Sequence, residues 1–373
     1  MDIDGLITPR VRAMAAYAPI TPVAVVARRH GLAPESIIKL DANENPYGPS
    51  PRAIEALARP VDAHRYPDPD QTMLRAAVAG FSGWPAERIL CGAGADELLQ
   101  WVGSAFLDPG DALIDLPPTF GMYRWVADIT GARHVAVPRR ADFGVDVAAV
   151  ARTVAETPRA KLLIVANPNN PDGGLLSPET LQALAELPIA VVVDEAYIDF
   201  AGVPGAASWA MERPNVMVLR TFSKLAGLAG LRAGYGLFHP RVAAQLWKLK
   251  QPYTPSSATS AAVIAALGDV GHLTETRDRI IAERERLLAG LRDFGWLTPL
   301  PSRANFLLCR VGRAPIGVAA AGRWLRDALE RRGIMVRYFD REGLRDCVRI
   351  SIGTPEDGRA VVDALQAIAR EEL

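Results

Sequence analysis

Val216-Met217-Val218-Leu219-Arg220-Thr221-Phe222-Ser223-Lys224 is the stretch that decides how this chain folds. Four apolar residues make a short buried strand, which runs out into two hydroxyl side chains and a lysine. A glycine-broken loop follows, carrying Gly230-Leu231-Arg232. Upstream, Val191-Val192-Val193-Asp194-Glu195-Ala196-Tyr197 is a second β-branched run with a carboxylate at its carboxyl end. Further upstream, Leu162-Leu163-Ile164-Val165-Ala166 leads into Asn167-Pro168-Asn169-Asn170-Pro171. Strands this continuously apolar are buried on both faces, as in a parallel sheet, and open α/β sheets place ligands beyond their carboxyl ends. Three successive strand ends thus present Asn170, then Asp194 with Tyr197, then Ser223, Lys224 and Arg232.

Working outward, short apolar strands alternate with helix-length segments from about Pro46 to Pro255. The strands expected are 88–91, 112–116, 134–137, 162–166, 190–193, 216–219 and 233–237, with helices such as 96–106 and 177–187 between them. The alternation predicts an α/β fold with a mostly parallel, mixed seven-stranded sheet covered on both faces. The glycine-rich run from Gly227 to Gly236 suits one antiparallel return. Residues 1–45 read as an arm that joins a smaller lobe, residues 46–255 as the large domain, and 256–373 as a smaller α+β domain. That last part has strands near 306–309, 335–337 and 348–352. The run Arg277, Asp278, Arg279, Glu283, Arg284, Glu285, Arg286 reads as a solvated helix face.

At 373 residues the chain is long enough for two lobes. Lys+Arg and Asp+Glu number 42 each, which argues against a nucleic-acid partner and against a polybasic membrane anchor. No stretch approaches the roughly 18 apolar residues that span a bilayer. Asp2 and Asp4 at the start do not suit a secretory leader. Cys91, Cys309 and Cys347 lack the paired spacing of a zinc site and read as buried thiols, so no metal is expected. A cytoplasmic protein acting on small molecules is the expectation.

The strand-end residues carry a definite chemistry. A lysine among apolar neighbours has a depressed pKa and serves as a nucleophilic amine toward a carbonyl. Thr221, Ser223 and Arg232 are donors of the kind that hold a phosphate. Backbone N–H groups of Ala95 and Asp96, where a helix opens after Gly92-Ala93-Gly94, add to them. Asp194 suits a protonated pyridine nitrogen, and Asn170 suits a phenolic oxygen. A carbonyl-reactive lysine beside a phosphate cup and a ring-nitrogen carboxylate is what pyridoxal 5′-phosphate (PLP) requires.

Together these motifs resemble fold-type I PLP enzymes of the aspartate aminotransferase superfamily. More narrowly, they resemble the histidinol-phosphate aminotransferase family. The likeness also runs through Asp41-Ala42-Asn43-Glu44-Asn45-Pro46-Tyr47-Gly48, Arg65-Tyr66-Pro67-Asp68, Gly94-Ala95-Asp96-Glu97, Pro118-Thr119-Phe120-Gly121-Met122-Tyr123, Gly333-Ile334-Met335-Val336-Arg337 and Val348-Arg349-Ile350-Ser351. The resemblance implies that Lys224, Asp194 and Tyr197 are the catalytic set. It places Phe120 on the face of the ring, where the family usually has tyrosine, and Tyr66 on the phosphate of a neighbouring subunit in a homodimer with shared sites. Tyr17, Asn45, Arg337 and Arg349 are the implied substrate residues, with Asn305 supporting the arginine.

Histidinol phosphate and 2-oxoglutarate are the implied amino donor and acceptor. An aromatic amino-acid aminotransferase, a decarboxylase of a phosphorylated amino acid and a PLP-binding sensor are the rival readings. Pro171-Asp172-Gly173 departs from the family's Pro-Thr-Gly, and Asp172 is expected to cap the next helix in threonine's place.

Overall fold

The computed structural model describes residues 3–16, 20–59, 62–315 and 317–373. Among the described residues the strands are β1 (Ile38–Leu40), β2 (Ile89–Gly92), β3 (Ala112–Asp115), β4 (Arg133–Ala136), β5 (Ala160–Ala166), β6 (Ala190–Asp194), β7 (Val216–Thr221), β8 (Gly234–Leu237), β9 (Leu297–Pro299), β10 (Phe306–Val311), β11 (Ile334–Tyr338) and β12 (Cys347–Ser351). They form a seven-stranded sheet in the order β2-β8-β7-β6-β5-β3-β4 and a five-stranded sheet in the order β1-β11-β12-β10-β9.

In the larger sheet β7, β6, β5, β3 and β4 pair parallel in turn, whereas β8 runs antiparallel to both of its neighbours. This is the mixed sheet expected, with its one reversed strand falling in the glycine-rich return. The apolar runs are buried on both faces because alternate residues feed two core layers. Leu163, Val165, Val191, Val193, Val216 and Val218 join one, while Leu162, Ile164, Val192, Met217 and Leu219 join the other.

Register aligns the carboxyl ends. Ala166 pairs with Asp194, and Asp194 with Leu219. On the far side Thr221 pairs with Gly234, and Gly234 with Gly92. The end of β2 therefore delivers the helix Ala95–Phe106 to the place where β7 ends. Glycine at 234 is needed for that approach, since a Cβ there would sit 2.7 Å from the Ala95 nitrogen. Gly94, at φ +83, makes the turn into the helix.

The arm residues of β1 pair parallel with β11, so the start of the chain completes the smaller sheet. The helix Ser257–Leu267 packs against the helices Pro51–Ala58 and Thr72–Ser82 of the larger-sheet lobe, although its residues were expected in the smaller one. Its apolar residues Ala262, Val263 and Ala266 are fully buried there. The long helix Val270–Leu291 then crosses to β9 and β10. Its charges are not all solvated as expected. Arg284 is 2% exposed and donates to the carbonyls of Phe200 at 3.2 Å and Ala304 at 3.1 Å. Glu283, also buried, accepts from Arg286. The buried guanidinium satisfies chain ends that the helix covers, which a pattern of charges along one helix does not reveal.

Arg284→Met should lower stability by about 2–4 kcal/mol, because the buried carbonyls lose their donor. Urea unfolding followed by circular dichroism measures it, and a change below about 0.5 kcal/mol, as at an ordinary surface site, would contradict the role.

Candidate active site

The strand ends enclose a cavity of about 370 Å³. Lys224, Asp194, Tyr197, Asn170, Phe120, Thr221, Ser223, Arg232, Ala95 and Asp96 all line it, so the fold brings together ten residues singled out in the sequence. Two further lining residues, Ala42 and Glu44, come from the segment after β1.

Asp194 is 5% exposed at the floor. One carboxylate oxygen accepts from the Tyr123 hydroxyl at 2.7 Å, the other from the Ala196 N–H at 3.0 Å. Burial pushes its pKa up to about 6 against the help of these donors, because neither brings a full positive charge. A buried carboxylate held only by neutral donors, facing a cavity, suits a cationic ring N–H. Tyr123 was quoted in the sequence motif but given no role; it lies on the helix Met122–Thr130, and only the fold shows that its hydroxyl reaches Asp194.

Lys224 lies across the cavity. Its Nζ donates to the Ala42 carbonyl at 3.2 Å and sits 5.7 Å from the centre of the Tyr197 ring. Burial, with the guanidinium groups of Arg349 and Arg232 adding to it, lowers its pKa from 10.5 to about 8. The amine is therefore available as a free base close to neutral pH.

The phosphate end has the expected parts. Thr221 Oγ1 accepts from the Ser223 N–H at 3.0 Å, which turns the chain after β7. Arg232, half-exposed, holds Asp96 at 3.0 Å beside the opening of the helix Ala95–Phe106. Phe120 stands edge-on to Tyr123, with centroids 5.8 Å apart. Phosphate donors at one end, an amine in the middle and a buried carboxylate at the other fit the donor set of PLP.

The arginines expected to face substrate are held between the two lobes. Arg349, 5% exposed, donates to Asn170 Oδ1 at 2.7 Å and to the Asp41 carbonyl at 2.7 Å. Arg337 is its register partner across β11 and β12. Arg337 faces an adjoining groove of about 630 Å³ lined also by Arg10, Gly121, Trp125 and Arg341.

Asn43, at φ 55, was quoted in the sequence motif but given no role. Its Nδ2 donates to the Tyr197 hydroxyl at 3.0 Å, its Oδ1 accepts from Ser351 at 2.9 Å, and its carbonyl accepts from Asn305 at 3.0 Å. Asn305 thus holds Asn43, and no direct hydrogen bond from its side chain to Arg349 is seen. The polar residue types around Asn43 were a signal, but the positive φ and the partners were not.

Two expectations meet a different geometry. Asn45 spends both amide atoms locally: Nδ2 donates to the Leu225 carbonyl at 2.7 Å and Oδ1 accepts from the Tyr47 N–H at 2.9 Å. It ties the arm to the loop after Lys224, while Ala42 and Glu44 face the cavity. Asp172 does not cap the following helix; Ser177 does, accepting from the Thr180 N–H at 3.2 Å. The loop between them is too long for Asp172 to reach the helix end. Tyr66 lies outside the cavity, 78% exposed and stacked 4.1 Å from Tyr253. Tyr17 lies outside the described residues.

The family model for aminotransferase class I and II matches residues 35–365. A histidinol-phosphate aminotransferase of Roseiflexus castenholzii is 52% identical over 98% of this chain and 99% of its own length. The chain belongs to the histidinol-phosphate aminotransferase family. A chloroplastic member from Nicotiana plumbaginifolia is 44% identical over 97% of the chain and 86% of its own length. Among solved structures, the histidinol-phosphate aminotransferase of Sinorhizobium meliloti in complex with pyridoxal-5′-phosphate matches with a TM-score of 0.87 at 30% identity. That match covers 98% of this chain and 97% of the other. The family's fold-type I architecture is the one described above, and among the described residues no helix is long and apolar enough to cross a membrane.

In protein free of cofactor, limited amine acylation across a pH series should show Lys224 titrating near 8, well below exposed lysines, as read by peptide mass spectrometry. The unfolded chain holds this proton more tightly than the folded one. Its contribution to stability therefore rises as pH increases from about 8 toward 10.5. A Lys224 midpoint at 10.5 would contradict the buried setting.

Proposed function

We propose that the chain is a PLP-dependent transaminase that moves the amino group of histidinol phosphate to 2-oxoglutarate, working as a homodimer with shared sites. The observation that carries the substrate reading is the pair Arg349 and Arg337, side by side on β12 and β11. The first bonds an asparagine of the cavity wall, and the second faces a groove with further arginines. One guanidinium suits the α-carboxylate of glutamate, and its neighbour suits a dianionic phosphate in the other half-reaction.

Bound in the cavity, PLP supplies an electron sink for the substrate's α-carbon. The side chains then have separable tasks. Asp194 holds the ring N–H, and Tyr123 holds Asp194. Asn170 and Tyr197 donate to the phenolic oxygen, with Asn43 orienting Tyr197. Thr221, Ser223, Arg232 and the N–H groups of Ala95 and Asp96 hold the phosphate, and Phe120 covers one face of the ring. Lys224 Nζ, whose proton affinity burial lowers to about 8, would hold the cofactor and would serve as the base that accepts the substrate's α-proton and passes it on. Tyr66, exposed in one subunit, reaches the phosphate bound by the other.

Activity on histidinol phosphate and on phenylalanine, each with 2-oxoglutarate, tests the substrate. Losing one charge-assisted hydrogen bond to a phosphate costs roughly 1.5–3 kcal/mol, or about 10–150-fold. Arg337→Ala should lower kcat/KM for histidinol phosphate by that factor and spare phenylalanine, which carries no distal anion. Unchanged histidinol phosphate turnover in Arg337→Ala would favour an aromatic amino-acid aminotransferase instead, and release of carbon dioxide a decarboxylase.

Shared sites are tested by mixing. Tyr66→Ala and Lys224→Ala subunits should regain activity together, because each heterodimer holds one site with both residues intact. No recovery after demonstrated subunit exchange would confine Tyr66 to its own subunit.

A further inference from the structure

Asp172 is 4% exposed, two residues beyond Asn170, and has no task in the chemistry above. One of its carboxylate oxygens accepts from the Asn169 side-chain amide, the other from the Gly174 N–H at 2.8 Å. Asn169 is held in turn. Its Oδ1 accepts from the Thr119 hydroxyl at 2.8 Å, and its Nδ2 also donates to the Pro118 carbonyl at 3.1 Å. The backbone closes the same loop, with the Asn169 N–H on the Gly174 carbonyl at 2.9 Å and the Gly173 N–H on the Asn169 carbonyl at 2.8 Å.

The loop is also seated on the smaller-sheet lobe. The Gly173 carbonyl accepts from the Arg303 N–H at 2.8 Å, and a Cβ on Gly173 would sit 2.1 Å from Ser302 Oγ. Behind it stands Arg139, 8% exposed, whose charge favours the ionised form of Asp172 against burial. Arg139 donates to the carbonyls of Leu116 and Phe143, while its second terminal nitrogen is buried without a hydrogen bond. A carboxylate is the side chain that meets this surrounding: two acceptors for two donors, and an anion for a buried cation. A threonine hydroxyl carries one oxygen and no charge.

Asn170 sits inside this loop with its two amide atoms divided. Oδ1 accepts from Arg349, which leaves Nδ2 for the cavity. We propose that Asp172, backed by Arg139, is a positioning residue that holds the 169–174 loop so that Asn170 serves the cofactor and Arg349 at once. The proposal rests on the reading of the cavity as a PLP site.

The test compares PLP-loaded wild type, Asp172→Asn and Asp172→Ala by three readouts: thermal melting, the pH midpoint of the visible absorption change, and KM for glutamate. Asp172→Asn turns one acceptor into a donor facing another donor. Loosening Asn170 weakens its hydrogen bond to the phenolic oxygen, so the midpoint should rise by about one unit. It also loosens Arg349, so KM for glutamate should rise roughly 3- to 10-fold. Asp172→Ala should move both in the same direction if the asparagine variant does not fold. Lower melting with an unmoved midpoint and KM, in whichever variant folds, would leave Asp172 a structural residue and overturn the proposal. Wild type without a visible cofactor band would instead refute the PLP reading itself.

Discussion

The site depends on a carboxylate buried with no cation hydrogen-bonded to it. Asp194 ends a strand that is apolar on both faces, and the sheet leaves it at the floor of a cavity where, among the described residues, Tyr123 and Ala196 are its hydrogen-bond donors. Neutral donors do not offset the loss of water, so the carboxyl holds its proton up to about pH 6. Between the ordinary 3.8 and that value the folded chain binds the proton more tightly than the unfolded one. The site thus costs stability as pH rises through this window and the group ionises. A cationic ring nitrogen relieves the cost and is held in its protonated form by the same charge.

Everything around Asp194 serves to place other groups at fixed offsets from it. Parallel register sets Ala166 and Leu219 on either side, and the loops from β5 and β7 therefore bring in Asn170 and Lys224. The reversed strand β8 then links the end of β7 to the end of β2, so a helix N-terminus and Arg232 meet Thr221 and Ser223. The smaller sheet enters through few atoms. Asn43 joins Tyr197 to Ser351 and Asn305, and Arg349 joins Asn170 to Asp41. The Asn170 amide and the Arg349 guanidinium are thereby one hydrogen-bonded unit drawn from two lobes.

The larger sheet was legible because its central strands carry short apolar runs, a signal that survives without knowledge of the partners. The cavity residues were legible because their chemical types sit at strand ends. Groups whose meaning is set by distant partners were not. Tyr123 looks like one more aromatic on an amphipathic helix until its hydroxyl is seen at Asp194. Arg284 belongs to a charged run, and only the packing of the long helix over Phe200 and Ala304 explains its burial. Asn45 and Asp172 misled for the same reason. Their side chains were taken to face a ligand or a helix end, but backbone groups claim them, Leu225 and Tyr47 for Asn45 and Gly174 for Asp172. The strand β9, three residues with a proline, is too short to register as a periodic signal.

The arginines impose a last coupling. Arg349 is the charged neighbour that contributes most to lowering the proton affinity of Lys224, after burial itself. An anion that neutralised Arg349 would remove part of that effect and make the lysine a stronger base. Arg337 stands next to Arg349 in register but faces the outer groove, so an anion there acts on Lys224 from farther away. Coulomb interaction falls with distance and with solvent exposure, so the inner guanidinium is the one coupled to the protonation of Lys224, and in the proposed reading the outer one is left to recognise substrate. A single pair of strands thus carries one guanidinium coupled to the lysine and one that faces an outer groove.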